Sequence, residues 1–226
     1  MNLLDQSVGW LARNIPGSTQ IFHEFDLDFC CGGQLSLRDA LSQKTLNADA
    51  VVQQLTALQE APDAEQNWSA ASTEQLIDHI LQRYHERHRQ QLPELIRLAL
   101  RVEQVHGDRE ECPQGLSDHL NNMLQALESH MLKEENILFP MLRQGIRGAG
   151  VSGPVSVMRI EHDEHGDGLA RLAEITNNIT LPKGACNTWR ALYSGLQQLR
   201  TDLMQHIHLE NNILFIDALE SHHATL

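Results

Sequence analysis

Histidine and glutamate stand four residues apart twice in this chain, on matching apolar stripes. His130-Met-Leu-Lys-Glu134-Glu-Asn-Ile-Leu-Phe139 returns as His206-Ile-His-Leu-Glu210-Asn-Asn-Ile-Leu-Phe215, identical at six positions and offset by 206 − 130 = 76. Around the first copy, Leu116, Leu120, Met123, Leu127, His130, Glu134, Ile137 and Met141 step by fours and threes. Leu192, Leu196, Leu199, Leu203, His206, Glu210, Ile213 and Asp217 repeat the pattern. That stepping marks the inward seam of a bundle helix. A carboxylate on such a seam is costly unless something satisfies it, and neither seam carries a Lys or Arg. A metal ion resolves the conflict, since carboxylate oxygen and imidazole nitrogen both ligate first-row metals. An isolated His-x-x-x-Glu reads as a tolerated polar pair in an ordinary amphipathic helix. Two copies at equivalent seam positions read as ligands.

The elements that must position these groups follow from the same periodicity. One helix is expected from Ser72, where Gln75 completes a capping box, to the stop at Gly107. Its seam runs Leu81, His85, His88, Leu92, Leu95, Ala99 and Val102, with Pro93 expected to bend it. A second is expected over 116–144. A third starts near Ser152, with the seam Val155, Met158, His162, His165, Leu169 and Leu172, and a fourth runs from Asn187 to about Leu219. His85 and His88 map onto His162 and His165 at an offset of 77. Each half is therefore a helix with His-x-x-His followed by a helix with His-x-x-x-Glu. Two such hairpins facing each other give an all-α, antiparallel four-helix bundle with pseudo-twofold symmetry.

Pooling the seam ligands gives His85, His130, Glu134, His162, His206 and Glu210. Two carboxylates and four imidazoles suit two metals, each taking two His and sharing both Glu as bridges, with an open position for a small ligand. Structural zinc favours a closed tetrahedral set, often with Cys, and calcium or magnesium mostly oxygen. The nitrogen and oxygen mix points to iron or manganese. His88 and His165 are either further ligands or groups that support the ligands and line the small-ligand pocket. Tyr84, beside His85, either donates to a bridging oxygen or packs. His208 falls out of phase with its seam and is expected at the surface.

Residues 1–60 read as a small helical domain, with short helices over 8–15, 18–25 (Ser18 as cap), 36–41 and 48–58. A polar, proline-containing linker at 61–71 separates it from the bundle domain at 72–226, and suggests that the small domain moves independently. Asp26-Leu-Asp-Phe-Cys30-Cys31-Gly32-Gly33 places two thiols at a turn that the glycines free to bend tightly. The pair is either a set of small turn residues or a thiol site for exchange or soft-metal binding. Asp26 and Asp28 are expected to raise the thiol pKa values. Cys112 and Cys186 read as incidental loop residues.

The chain's 226 residues carry a net charge of −13 with His neutral, which argues against nucleic-acid binding and against attraction to anionic membranes. No apolar run approaches the ~18 residues of a membrane span. Residues 1–16 lack a basic start and include Asp5, unlike a secretory signal. Adjacent cysteines make a poor disulfide, so a cytoplasmic location is expected.

His85 … His130-x-x-x-Glu134 … His162 … His206-x-x-x-Glu210 resembles the hemerythrin-like di-iron bundle. Asp-Phe-Cys-Cys-Gly-Gly resembles the small N-terminal domain of the iron–sulfur cluster repair di-iron proteins (the YtfE/ScdA/RIC family). Together, in this order, the two features span nearly the whole chain. The resemblance implies two non-haem iron ions, oxo- and carboxylate-bridged, with Glu134 and Glu210 as the bridges. It implies a stress protein that restores iron–sulfur clusters damaged by nitric oxide or peroxide, by supplying iron, by removing nitric oxide, or both. Its expected partners are damaged iron–sulfur proteins and the gases nitric oxide and oxygen. The alternatives are a gas-binding or gas-sensing hemerythrin-like protein and a nitric oxide reductase. The cysteine module favours repair over carriage, and the acidic surface permits a homodimer. Phe215-Ile216, where the first half has Phe139-Pro140, departs from the repeat beyond the ligands and leaves them untouched.

Overall fold

The computed structural model describes residues 2–60 and 67–220. Residues 61–66 of the expected linker and 221–226 of the expected bundle domain lie outside the described residues. Four short helices come first: α1 (Val8–Asn14), α2 (Ser18–Glu24), α3 (Leu37–Gln43) and α4 (Ala48–Glu60). Four long ones follow. Helix α5 (residues 73–106) joins Thr73–Ile80 to Glu86–His106 through a π turn at Leu81–His85. Helix α6 (116–143) joins Leu116–Lys133 to Phe139–Arg143 through a π turn at Glu134–Leu138. Helix α7 is Ser152–Ile175. Helix α8 (187–219) joins Asn187–Leu209 to Phe215–Leu219 through a π turn at Glu210–Leu214. Among the described residues there is no strand, only an isolated antiparallel bridge between Ser7 and Ser36.

The caps account for the helix starts. Ser72 and Gln75 form the reciprocal box, Ser72 N donating to Gln75 Oε1 at 3.0 Å and Gln75 N to Ser72 Oγ at 3.2 Å. Ser36 caps α3 by accepting from Asp39 N. Ser18, expected to cap α2, instead lies inside it. Its buried hydroxyl donates to Leu11 O, and Gly17 takes the cap position. Helix α5 continues through Pro93.

The chain divides into two compact units. The unit of residues 79–140 and 156–203 is a four-helix bundle. Glu103 accepts from Ser117 while Arg89 pairs with Glu128. His119 bonds Gly168 O while His130 bonds Glu161. Arg83 pairs with Asp202 while Gln91 donates to Gly195 O. In each helix pair numbers rise on one side as they fall on the other, so the neighbours are antiparallel. Leu92, Leu95, Ala99, Leu116, Leu120, Leu127, Met158, Leu172, Leu196 and Leu199 fill the core. Burying each Leu stabilises the fold by roughly 1.5–3 kcal/mol.

The π turns shift the seam. A π turn closes its hydrogen bond one residue further than an α turn, so whatever follows is rotated. In α6 the stepping anticipates Ile137 and Met141 inside. Ile137 is 52% exposed, and Leu138 and Leu142 are buried instead. In α8 Leu214 and Ala218 join the interior, while Asp217 pairs with Arg13 at 2.7 Å. Helix α7 has no π turn, and its six anticipated seam residues are all buried.

The other unit comprises 1–78, 141–155 and 204–226. Val8, Leu11, Phe22, Leu27, Phe29, Leu37, Leu41 and Leu55 form its core. Neither Gly32 nor Gly33 has a positive φ. Gly33 is there for space: a Cβ would lie 2.9 Å from Phe29 O and 3.0 Å from Gly9 Cα, because Gly9 N donates to Gly33 O at 2.8 Å. The cysteine turn is tied to α8. Asn211 Nδ2 donates to Cys30 O at 3.0 Å and Asn212 Nδ2 to Phe29 O at 2.9 Å. With Arg13–Asp217 at 2.7 Å these bonds join residues of the small domain to α8.

Candidate metal centre

Each ligand candidate sits where its helix geometry aims it inward. His130 and Glu134 are one turn apart on α6, with Nε2 and Oε2 separated by 3.4 Å. His85 Nε2, from the π turn of α5, approaches the same Glu134 Oε2 at 3.4 Å. His162 Nε2 lies 3.1 Å from His130 Nε2. On α8, His206 Nε2 and Glu210 Oε1 are 3.2 Å apart. All six residues are buried. Their donor atoms form two groups, each within 4.8 Å: His85, Glu134, His206 and Glu210, and His130, Glu134, His162 and Glu210.

The donor set fits a cation. Ligands bound at about 2.1 Å and at right angles lie roughly 3 Å apart, the spacing seen here. Two histidines also present Nε2 inward while Nδ1 is held from outside. Glu135 Oε1 meets His85 Nδ1 at 2.8 Å, and Glu161 Oε2 meets His130 Nδ1 at 3.0 Å. Carboxylates in that position fix the ring and make the imidazole a better donor to metal. Arg89 anchors Glu135 at 2.8 Å, and Lys133 pairs with Glu161. Sequence reasoning passed over Glu135 and Glu161. Their one signal is adjacency: each directly follows or precedes a ligand candidate, and so points to the neighbouring helix.

His88 and His165 are buried, and the His165 ring stands edge-on to His130 with centroids 5.0 Å apart. Tyr84 is buried beside His88, with centroids 6.4 Å apart. Burial pushes its phenol up to about 12, so the hydroxyl keeps its proton. His208, expected at the surface, is buried at 2% exposure. Asn212 Nδ2 donates to its Nδ1 at 3.0 Å, and its ring meets Phe29 edge-on. The out-of-phase position faces the cysteine-bearing segment rather than solvent, and burial pushes its pKa down to about 3.

Asp28 organises the cysteine turn. Its Oδ1 accepts from Cys30 N and Cys31 N, each at 3.0 Å, and its Oδ2 from Gly32 N at 2.8 Å. The two Sγ atoms are 3.6 Å apart. The hydrogen bond with Cys31, then burial and the charges of Cys31 and Asp28, hold the Cys30 thiol well above its usual pKa. Asp28, Cys30 and Cys31 form a third group able to hold a metal ion. The structure thus keeps both readings of the pair, turn residues and thiol site, in one arrangement.

An all-helical bundle whose buried faces gather imidazoles and carboxylates defines a cation-binding bundle protein. Residues 76–223 match the hemerythrin HHE cation binding domain, and residues 4–59 match the ScdA_N domain of unknown function. The chain is 50% identical to the iron–sulfur cluster repair protein YtfE of Yersinia pseudotuberculosis (strain IP 31758), over 97% of this chain and 99% of that protein. It is 49% identical over the same shares to that of Yersinia pestis (strain Pestoides F). The chain belongs to the family of these YtfE iron–sulfur cluster repair proteins, with the hemerythrin HHE domain as its metal-binding part.

Proposed function

We propose that this protein repairs damaged iron–sulfur clusters with a centre of two non-haem irons. His85 and His206 would hold one ion and His130 and His162 the other, with Glu134 and Glu210 available to both. One observation carries this reading: the two donor groups share both carboxylates and differ only in their histidines. A shared pair of carboxylates suits two adjacent cations, whose charge it offsets. When bound, the irons supply redox chemistry and a place for a small gas such as nitric oxide or oxygen. The chain's own residues do the rest. Glu135 and Glu161 orient their imidazoles, Tyr84 offers a protonated hydroxyl, and His88 and His165 wall the site. Repair proceeds by giving iron to a damaged protein, by taking up nitric oxide, or by both.

Residues 1–60 form the thiol-bearing domain and 72–226 the metal-bearing one, a division supported by the two separate family matches. Cys30 and Cys31 act on the damaged partner. The cytoplasm suits this role, since adjacent cysteines such as Cys30 and Cys31 make a poor disulfide. No helix among the described residues is long and apolar enough to cross a membrane. Iron analysis with Mössbauer spectroscopy tests the centre: two coupled irons per chain are expected, and a single uncoupled zinc overturns it. Reactivation of a nitric-oxide-damaged iron–sulfur enzyme tests the function. Wild type should reactivate it, and the Cys30→Ser, Cys31→Ser variant should do so less at equal iron loading. Reversible gas binding without reactivation would favour the sensor reading instead.

A further inference from the structure

A second pair of reactive groups lies well away from the metal ligands. His106 ends α5, 106 − 85 = 21 residues beyond His85, which at the α-helical rise is about 31 Å. Cys186 directly precedes α8, and its carbonyl accepts from Arg190 N at 3.0 Å. His106 Nε2 and Cys186 Sγ are 3.2 Å apart. Three features make this a built arrangement. The imidazole is held by the fully buried Trp189, with ring centroids 5.1 Å apart. Arg109 lies over the same indole at 5.2 Å and donates to Lys183 O at 3.0 Å, which ties down the loop that leads to Cys186. The sulfur belongs to the residue at the start of a long helix, where unpaired backbone N–H groups favour developing negative charge. Cys186 is half-buried and Cys112 is buried. Cys112 is the natural internal contrast: burial, then the charge of Glu103, pushes its thiol pKa up, and the Gln114 amide donates to its sulfur at 3.6 Å.

We propose that Cys186 and His106 form a peroxide-reactive thiol–imidazole site. Sγ attacks one oxygen of hydrogen peroxide, an S–O bond forms and the O–O bond breaks. The thiol proton passes through His106 Nε2 to the departing hydroxide, which leaves as water. Cys186 is oxidised by two electrons to the sulfenic acid, and the peroxide is reduced. A nucleophile paired with a base at hydrogen-bond distance is the arrangement such a step needs. The sulfenic acid is itself reversible by thiols.

The test uses the full-length protein as isolated. It is treated with iodoacetamide, or with hydrogen peroxide and dimedone, and each cysteine is quantified by peptide mass spectrometry. Cys186 should be alkylated, and should trap dimedone, at least about ten-fold faster than Cys112. His106→Gln should slow Cys186 about ten-fold and leave Cys112 unchanged. Equal rates at Cys186 and Cys112 in the wild type overturn the proposal, as does a His106→Gln variant of unchanged helicity whose Cys186 reacts as before. Fast alkylation without a dimedone adduct overturns the peroxide step. Should His106→Gln unfold, seen as a rise in Cys112 labelling, His106→Asn of unchanged helicity takes its place, and a Cys186 that reacts as in wild type overturns the proposal.

Discussion

At Glu134 and Glu210 a carboxylate is enclosed by helix on all sides, with no solvent exposure. Replacing either by Leu should leave the helical signal intact, because exchanging a buried ionisable group for an apolar one is often neutral or stabilising. Bound iron should fall from two per chain towards none, and an unchanged iron content would remove Glu134 or Glu210 from the ligand set. Alanine at His85, His130, His162 or His206 should likewise lower occupancy or alter the spectrum. His88→Ala and His165→Ala should keep two irons and change reactivity. Glu161→Gln should weaken iron binding by roughly 10–100-fold, since that carboxylate holds His130 from behind. The ligand candidates were legible because the internal repeat lines them up at offsets of 76 and 77. Glu135 and Glu161 were not, because they lie off the seam and their role exists only once a neighbouring helix supplies the imidazole. His208 was misread for the same reason, as its buried surroundings come from residues some 180 positions away.

Among the elements, boundaries were readable where side chains cap the backbone, as at Ser72 and Ser36. The phase beyond Glu134 and Glu210 was not, since a single added residue in a helical turn leaves no mark in an apolar pattern that accommodates both registers. Ile137-Leu138 and Ile213-Leu214 are such doublets. The contact of α1 with α8 carries its own prediction. A Cβ at Gly9 would meet Asn212 Oδ1 at 2.7 Å and Gly33 O at 3.1 Å. Gly9→Ala should therefore loosen the cysteine turn. Asn212→Ala strips a donor from both Phe29 O and His208 Nδ1. It should cost about 1–3 kcal/mol for each group left unsatisfied, lowering Tm by several degrees in thermal melts. An Asn212→Ala melt that overlays wild type would mean that the turn is held by other contacts.

For the molecule as a whole, the metal is expected to contribute directly to stability. A cation at 100 times its Kd stabilises the state that binds it by about 2.7 kcal/mol. For a chain of this size that corresponds to roughly 5–10 °C in Tm. Stripping with a chelator should lower Tm by that amount, and adding ferrous iron should restore it; identical melts for stripped and loaded protein would contradict a folded-state metal site. A chain begun near Asn67 should still bind two irons. It should melt below full length, because Phe29 no longer covers His208 and Asn212. The all-α class was evident from periodicity alone. The docking of residues 1–60 was not, because it depends on the polar side chains Arg13, Asn211, Asn212 and Asp217, which carry no periodic signature.

Glu210, Asn211 and Asn212 are consecutive residues of one π turn, and the last two grip the carbonyls of Cys30 and Phe29. One stretch of backbone thus carries a ligand candidate and holds the thiol turn. Cation binding and reversible blocking of the cysteines close a thermodynamic cycle, and a cycle of equilibria is reciprocal. Whatever factor cation binding applies to blocking of the cysteines, blocking must apply to cation affinity, with the same magnitude. Titrating iron into protein whose cysteines are reversibly blocked, and titrating the blocking reagent with and without iron, should return one and the same coupling constant.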